Sequence, residues 1–593
     1  MDPVNEYKRL LLRHQSQEKI LKRRYNLVSL FRLIVAIAGI TFLYFYIQSN
    51  STGLLIPCFL CLILFLFILK KHQKIEWERK VEKQLSNINE DEVAHVASGA
   101  LPFENGSDFI DTKHPYAHDL DIFGARSLYQ FLNRTETFRG RLALSRLLTS
   151  KSTKEQIALN QSAIKELTTR LEWRNRIRAF AQIKPDDASS VDALKKWVNM
   201  DKRGIPGFLS VLSYLTPFIV VSSFILYLIT SSTIYWQVAG LFFIVNLLLL
   251  TTQMLRIKTE LIPSMGIDHI LRHYALILRE IEHASFESPY LIELQHRLLT
   301  GKSASKSIHQ LSILFARMDH VQNIFASPLL NGIFLYHIHQ LRNLTQWRNA
   351  HVEDVEKWLD TIGEFEALSS LANFSFNNPS YVFPTLNFEQ QIEFKELGHP
   401  LIRSDKRITN HVSFNEKRFF ILTGSNMSGK STFLRTLGIN MVLTNMGAAV
   451  CAKEANVHPL SILVSMRLAD SLGDSESYFF AEVKRLKEIM DSLSNNTSFV
   501  LLDEILRGTN SDDKRSGTIA VVKKMVEKKA IGIIATHDLE VCHTMEEFPD
   551  ILSNKRFEVE IIDNELSFDY KLRDGICENK SATFLMKKME VID

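Results

Sequence analysis

The residues best suited to chemistry form one run, Gly424-Ser425-Asn426-Met427-Ser428-Gly429-Lys430-Ser431, which has the spacing G-x-x-x-x-G-K-[ST]. Glycines at those two places let backbone N–H groups close around phosphate oxygens, and a helix starting at the lysine adds its positive end. Lys430 would neutralise β- and γ-phosphates, the Ser431 hydroxyl would bind Mg²⁺, and Thr432 beside it belongs with the nucleotide-binding residues. A second run, Ser498-Phe499-Val500-Leu501-Leu502-Asp503-Glu504, reads as a buried strand ending in two carboxylates. Asp503 would hold Mg²⁺ through water, and Glu504 would orient and deprotonate the attacking water. A third, Ile531-Gly532-Ile533-Ile534-Ala535, leads to Thr536-His537-Asp538 and puts His537 where it can contact a γ-phosphate or that water. Together these groups are the parts of an ATP- and Mg²⁺-dependent hydrolase.

Such parts need strands that end at one place. The apolar run Phe419-Phe420-Ile421-Leu422 enters the glycine loop, and a helical pattern begins near Ser431-Thr432-Phe433-Leu434. From Arg418 onward apolar strands alternate with helical stretches, which predicts a parallel or mixed α/β sheet. Around Pro379 to Pro400 the pattern is short β-type runs and turns. Segments 71–203 and 256–375 carry Leu, Ile and Ala at three- and four-residue spacing and read as all-α. Within the second, Ile267, Ile270, Leu271, Tyr274, Ala275 and Leu278 mark one apolar helix face.

The chain has 593 residues, 46% of them hydrophobic and 23% charged, so wholesale disorder is excluded. Lys+Arg number 70 and Asp+Glu 66, a net charge of +4 that does not by itself point to nucleic acid. The five cysteines show no metal-ligand spacing, and Cys58 and Cys61 lie in an apolar run, against a secreted disulfide scaffold.

Two stretches, Leu33 to Leu69 and Gly204 to Leu255, contain no charged residue. Since about 20 apolar residues cross a bilayer core of about 30 Å, each holds two spans and a turn. The turns, Gln48-Ser49-Asn50-Ser51-Thr52 and Ser231-Ser232-Thr233, carry no Lys or Arg, whereas the outer flanks are rich in both. The positive-inside rule therefore predicts a multi-pass cell-membrane protein with everything but the turns cytoplasmic. The expected order is a basic N-terminus (1–27), a transmembrane hairpin (28–70), a helical part (71–205), a second hairpin (206–255), more helical chain (256–375) and the ATPase region (376–593).

The motif set resembles the MutS mismatch-repair family. Thr423 to Thr432, TGSNMSGKST, is similar to that family's TGPNMGGKST. Gly398-His399-Pro400 resembles its GRHP, and Asp474 to Glu482 resembles its S-T-F-M-x-E signature. Asp503 to Asn510 resembles DEIGRGTS, Ala535-Thr536-His537 resembles ATH, and Leu132 to Arg141 resembles the start of the helical core and lever. The resemblance implies an ABC-like P-loop ATPase domain on an all-α core and lever, with ATP and Mg²⁺ as cofactors. It implies a homodimer through the ATPase domains in which Ser477 of one subunit reaches the other's nucleotide, although a serine there also suits a plain helix cap. It also implies DNA as a partner. Against that, residues 71–119 are too few for the family's mismatch-reading domain, 256–375 leave little room for its DNA clamp, and the chain ends at Asp593 without the usual dimerising extension. Ser425 and Ser428 replace a proline and a glycine, and Asp538 stands where the family prefers an aromatic residue.

ATP hydrolysis thus carries over better than mismatch recognition. The expected function is a membrane-anchored ATPase acting in DNA binding or repair, the alternative one acting on a protein or membrane partner. An ABC-type transporter is disfavoured, with no LSGGQ-type signature and no charge in the spans.

Overall fold

The structure is a computed structural model that describes residues 2–49, 51–200, 204–261, 267–299, 301, 303–318, 326–425, 427–467, 478–562 and 565–577. Helices Pro3–Ser49 and Leu55–Ser98 form an antiparallel hairpin. At 1.5 Å per residue each is about 70 Å long, more than twice a bilayer core. The basic stretch 1–27, read from sequence as a separate terminus, continues the first apolar helix from Pro3 onward. Its polar half pairs with the second helix, where His14 Nδ1 lies 2.8 Å from Glu82. The tip carries exposed apolar side chains on all faces, among them Ile47, Ile56, Phe59 and Phe67. A second hairpin joins Gly207–Thr230 to Thr233–Leu261 through Ser231 at φ 52°. These four helices are long and apolar enough to cross a membrane, by length and composition.

Short helix Ala326–Phe334, assigned from sequence to the helical core, lies along the second hairpin instead. Gly332 allows it: a Cβ there would stand 2.2 Å from the Phe243 ring. The buried Asn246 amide donates to the Gly332 carbonyl at 2.8 Å. At Leu335, φ 48°, the chain breaks, and Asn331 Oδ1 accepts from the His337 N–H at 3.0 Å before helix Tyr336–His351 begins.

The helical core is built around Val355–Asn377, buried along most of its length. Helix Phe138–Thr149, capped by the Thr137 hydroxyl on the Gly140 N–H, crosses it closely because Gly140 and Gly363 sit at the contact. Two buried ion clusters tie the hairpins to this core. Glu92, near the end of Leu55–Ser98, is held by Arg134, by Arg178 at 3.0 Å and by the Asn377 amide at 3.1 Å. Burial alone would raise its pKa; the two guanidiniums overcome that and hold it well below the usual carboxylate range. Glu260, at the foot of the second hairpin, accepts from the Trp197 indole at 2.6 Å and from Arg348 at 3.0 Å.

Among the described residues the C-terminal region holds twelve strands: β1 (Thr385–Leu386), β2 (Ile392–Leu397), β3 (Asn410–Ser413), β4 (Phe419–Thr423), β5 (Glu454–Val457), β6 (Ser461–Ser465), β7 (Ser498–Asp503), β8 (Ile531–Ala535), β9 (Leu552–Phe557), β10 (Glu560–Ile562), β11 (Glu565–Ser567) and β12 (Leu572–Asp574). The main sheet runs β12-β9-β4-β8-β7-β6, parallel except for β12, and a smaller sheet runs β1-β5-β2-β3. Strands β4, β7 and β8 are buried at every position, as continuous apolar runs in a parallel sheet covered on both faces must be.

Residues 114–121, well before the ATPase region in sequence, join that sheet. The Pro115 carbonyl accepts from Val464 at 3.0 Å, and Asp119 accepts the Met466 and Arg467 N–H groups at 2.8 and 2.7 Å. The Asn160 amide adds a bond to the Met446 carbonyl at 3.1 Å.

Glu92→Ala leaves the buried Arg134 guanidinium without its anion and Arg178 with Glu136 alone, and should destabilise the chain by about 3–5 kcal/mol. Removing the exposed Arg13–Glu172 pair should cost less than about 1 kcal/mol. Thermal unfolding followed by tryptophan fluorescence compares the two.

Candidate nucleotide site

Three strand ends define the site. Leu422 of β4 pairs with Ala535 of β8, and Ala535 with Asp503 of β7, so the loops carrying Gly424, His537 and Glu504 leave the sheet side by side. Carboxyl ends of parallel strands are where α/β proteins place ligands.

The loop from Gly424 to Gly429 needs both glycines. A Cβ on Gly424 would come within 2.6 Å of Ser428 Oγ, and one on Gly429, which is at φ 96°, would come within 2.9 Å of the Tyr570 ring. Met427 also adopts a left-handed conformation, φ 70°, and is exposed. Lys430 opens helix Lys430–Met446, and its ammonium donates to the Gly424 and Ser425 carbonyls at 2.8 and 3.1 Å. Burial lowers its pKa, opposed by Glu504 and Asp503. Ser431 and Thr432 are exposed at the helix start. Asn426 and Ser477 lie outside the described residues.

Asp503 and Glu504 differ sharply. Asp503 is buried and its Oδ1 has no hydrogen-bond partner, as is also true of the Ser425 and Ser428 hydroxyls. An acceptor in that position fits a water on a divalent cation, and the unused hydroxyls fit phosphate oxygens. Glu504, at φ 49°, turns out of the strand, and its carboxylate lies 2.6 Å from His537 Nε2. So short a contact makes Nε2 the donor, which leaves the Lys430 ammonium, 3.3 Å from the same nitrogen, without a bond to it. The His537 hydrogen bond, against an opposing effect of burial, brings Glu504 down to about 2, with the charges of His537, Arg507 and Lys430 adding to it.

Two contributors escape a reading of the sequence. Glu482, on helix Tyr478–Asn495, is buried and accepts the backbone N–H groups of Leu506 and Arg507 at 2.6 and 3.1 Å. It sets the path of the loop after Asp503; its place in the signature run gave no hint of that role. Arg507 donates to the Glu504 and Asp503 carbonyls at 2.9 and 3.2 Å. Beside Gly429 and Thr432 lies a cavity of about 300 Å³ walled by His399, Ile408, Phe433 and Tyr570. Burial, with Arg435 and Arg407 nearby, pushes His399 down to about 4 and keeps it neutral.

Residues 420–591, which contain every one of these catalytic candidates, match the family described as MutS domain V. The chain is a MutS-family protein. It is 30% identical over 242 residues to the human MutS protein homolog 4, covering 39% of this chain and 25% of that one. The mouse MutS protein homolog 4 is 27% identical over 352 residues, 55% of this chain and 36% of its own. The DNA mismatch repair protein MutS of Thermotoga maritima is 31% identical over 232 residues, 38% of this chain and 29% of its own. The matched region therefore spans only about a quarter to a third of these relatives. The mixed sheet and P-loop geometry of this MutS-family chain agree with that match.

Glu482→Ala leaves two partly buried N–H groups unpaired, each worth about 1–3 kcal/mol. The midpoint of thermal unfolding should fall, whereas the exposed Glu527→Ala should leave it unchanged.

Proposed function

We propose that this MutS-family chain is a membrane-anchored ATPase that binds and hydrolyses ATP with Mg²⁺ and couples the cycle to DNA or a DNA-bound complex at the membrane. The observation that carries the hydrolytic part is the convergence of Lys430, Asp503, Glu504 and His537 on one glycine loop, with Asp503 Oδ1 buried and unpartnered. Backbone N–H groups of the loop and Lys430 would hold the phosphates, Ser431 and Asp503 the cation, and the cavity at Tyr570 the base. Bound Mg²⁺ would supply charge neutralisation on the phosphates. Glu504 would orient water. A carboxylate brought down to about 2 is a weak base, so the His537 contact must loosen before Glu504 takes a proton. His537 is thus a positioning residue for Glu504.

Lys430→Ala should weaken ATP binding about tenfold or more by removing the cation that faces the phosphates. Glu504→Gln should bind ATP like the wild type and turn it over at least about a hundredfold more slowly. Equal turnover by Glu504→Gln and wild type removes Glu504 from the mechanism.

One of the relatives above, that of Thermotoga maritima, carries DNA mismatch repair in its name, which supports the DNA part. The purified chain should bind duplex DNA with an affinity that falls steeply between low and physiological salt. Salt-insensitive or absent binding replaces DNA with a protein or membrane partner.

The reading includes a homodimer in which Ser477 completes the partner's site. Mixing Lys430→Ala with Ser477→Ala chains should then restore part of the activity, because one composite site regains both groups. No recovery leaves Ser477 as a helix cap.

A further inference from the structure

Helix Ile267–His283 has two unlike faces. Ile270, Leu271, Tyr274 and Leu278 face the core, whereas His269, Arg272, His273, Leu276, Arg279 and His283 recur at three- and four-residue steps along the other side. That second face forms one wall of a cavity of about 760 Å³. Lys80 closes it from helix Leu55–Ser98, Lys184 from the loop after helix Leu171–Gln182, and Lys306 from helix Ala304–Met318. Five cationic side chains from four segments thus line it, and among the described residues no carboxylate does.

Carboxylates reach only part of this lining: Glu76 pairs with Lys80 at 3.1 Å and Asp268 lies 3.8 Å from His269, whereas Glu280 is drawn away to Arg176 at 3.8 Å. Glu282 takes the Ser303 and Ser305 hydroxyls. Among the described residues, none lies within ion-pair distance of Lys184, Arg272, Arg279 or Lys306. Gathering like charges around a concavity is unfavourable unless an anion offsets it.

The floor is preformed. Trp77 stacks on His273, with centroids 5.7 Å apart and planes 17° apart, and on Phe180. His273 is 8% exposed and its Nδ1 has no hydrogen-bond partner. Burial, with His269, Arg272 and Lys184 alongside, pushes it down to about 4, so it adds hydrogen-bonding capacity without adding repulsion. The volume lies within the roughly 300–1,000 Å³ of small-molecule pockets, and such a hollow suits a compact ligand better than a duplex.

We propose that this cavity is a second anion site, distinct from the glycine loop, that takes a compact ligand bearing two or more phosphate groups. Trp77 and Lys80 lie about 10–15 Å beyond Lys70 along their helix. On the membrane reading, and only on it, the cavity sits just below the inner leaflet, so the phosphates come from a soluble molecule or from a lipid headgroup.

The test is calorimetric titration of inorganic pyrophosphate into the full chain in nanodiscs of neutral phosphatidylcholine, carrying Lys430→Ala to suppress the glycine loop. One saturable site per chain is expected, weakened about tenfold or more by Arg272→Glu with Lys306→Glu and unchanged by Lys528→Glu with Lys529→Glu. Arg272→Gln with Lys306→Gln, a milder pair checked by its unfolding midpoint, should weaken binding in the same direction. Discs containing cardiolipin, whose headgroup carries two phosphates, should compete with pyrophosphate if the source is a headgroup and leave it unaffected if the source is soluble. Absence of binding, or binding indifferent to both Arg272/Lys306 pairs, overturns the proposal. Duplex DNA binding that those pairs abolish, with no pyrophosphate binding, overturns it in favour of a nucleic-acid surface. A failure here leaves ATP hydrolysis at the glycine loop untouched, because that is read separately through Glu504→Gln.

Discussion

A carboxylate removed from water stays charged only where cations are built around it, and Glu92 meets that requirement in the middle of the molecule. Arg134 and Arg178 are themselves buried, so neither they nor Glu92 can be moved without stranding a charge. The helix that bears Glu92 also bears the exposed apolar tip of the first hairpin, and the arginines belong to the helical core. Sliding that helix by one turn would break the cluster. From there the bonding continues: Arg178 reaches Glu136 at 3.3 Å, and the Glu136 and Thr137 N–H groups reach Glu366 at 3.2 Å. Burial pushes Glu366 up to about 7, so hydrogen bonds rather than full charge hold this crossing at neutral pH. Asp119 carries the connection into the nucleotide-site sheet, and Asn160 into the end of helix Lys430–Met446. The foot of the hairpin and the strands under the glycine loop therefore form one bonded body.

That body gives the site its character. Strand register brings Leu422, Ala535 and Asp503 into line, and everything beyond depends on short turns held in unusual conformations: Glu504 at φ 49°, Leu506 at φ 61°, Gly429 at φ 96°. Such conformations cost about 1–3 kcal/mol each for non-glycine residues, and Glu482 and Arg507 offset this by binding the loop's backbone. The pairing of Glu504 with His537 connects two loops that a change at either one would separate.

Much of this was legible in the sequence. Strands β4, β7 and β8 read directly, because a strand buried on both faces leaves an unbroken apolar run, and the glycine loop reads because only glycine fits at Gly424 and Gly429. The two hairpins read as charge-free stretches. Contacts distant along the chain left no such mark. Nothing local to residues 114–121 announces that they bond to β6, nothing in Glu482 announces Leu506, and nothing in Glu92 announces arginines that follow it by tens of residues. Helix Ala326–Phe334 reads as helix, but its place along the second hairpin is hidden for a different reason. No Asp, Glu, Lys or Arg occurs between Asp319 and Arg342, but Asn, Gly and His interrupt the apolar pattern, so the run looks like ordinary core until Gly332 is seen against Phe243.

The central claim joins two properties in one chain: nucleotide held at the Lys430 loop, and anchorage by the two hairpins. Photo-crosslinking with radiolabelled azido-ATP on membranes washed at alkaline pH tests both at once, since the wash removes peripheral proteins and leaves spanning ones. The account predicts that the chain stays in the pellet and takes up label there, with Mg²⁺ required and unlabelled ATP competing. A chain found in the supernatant, or one that stays in the pellet and takes up no label, would contradict it.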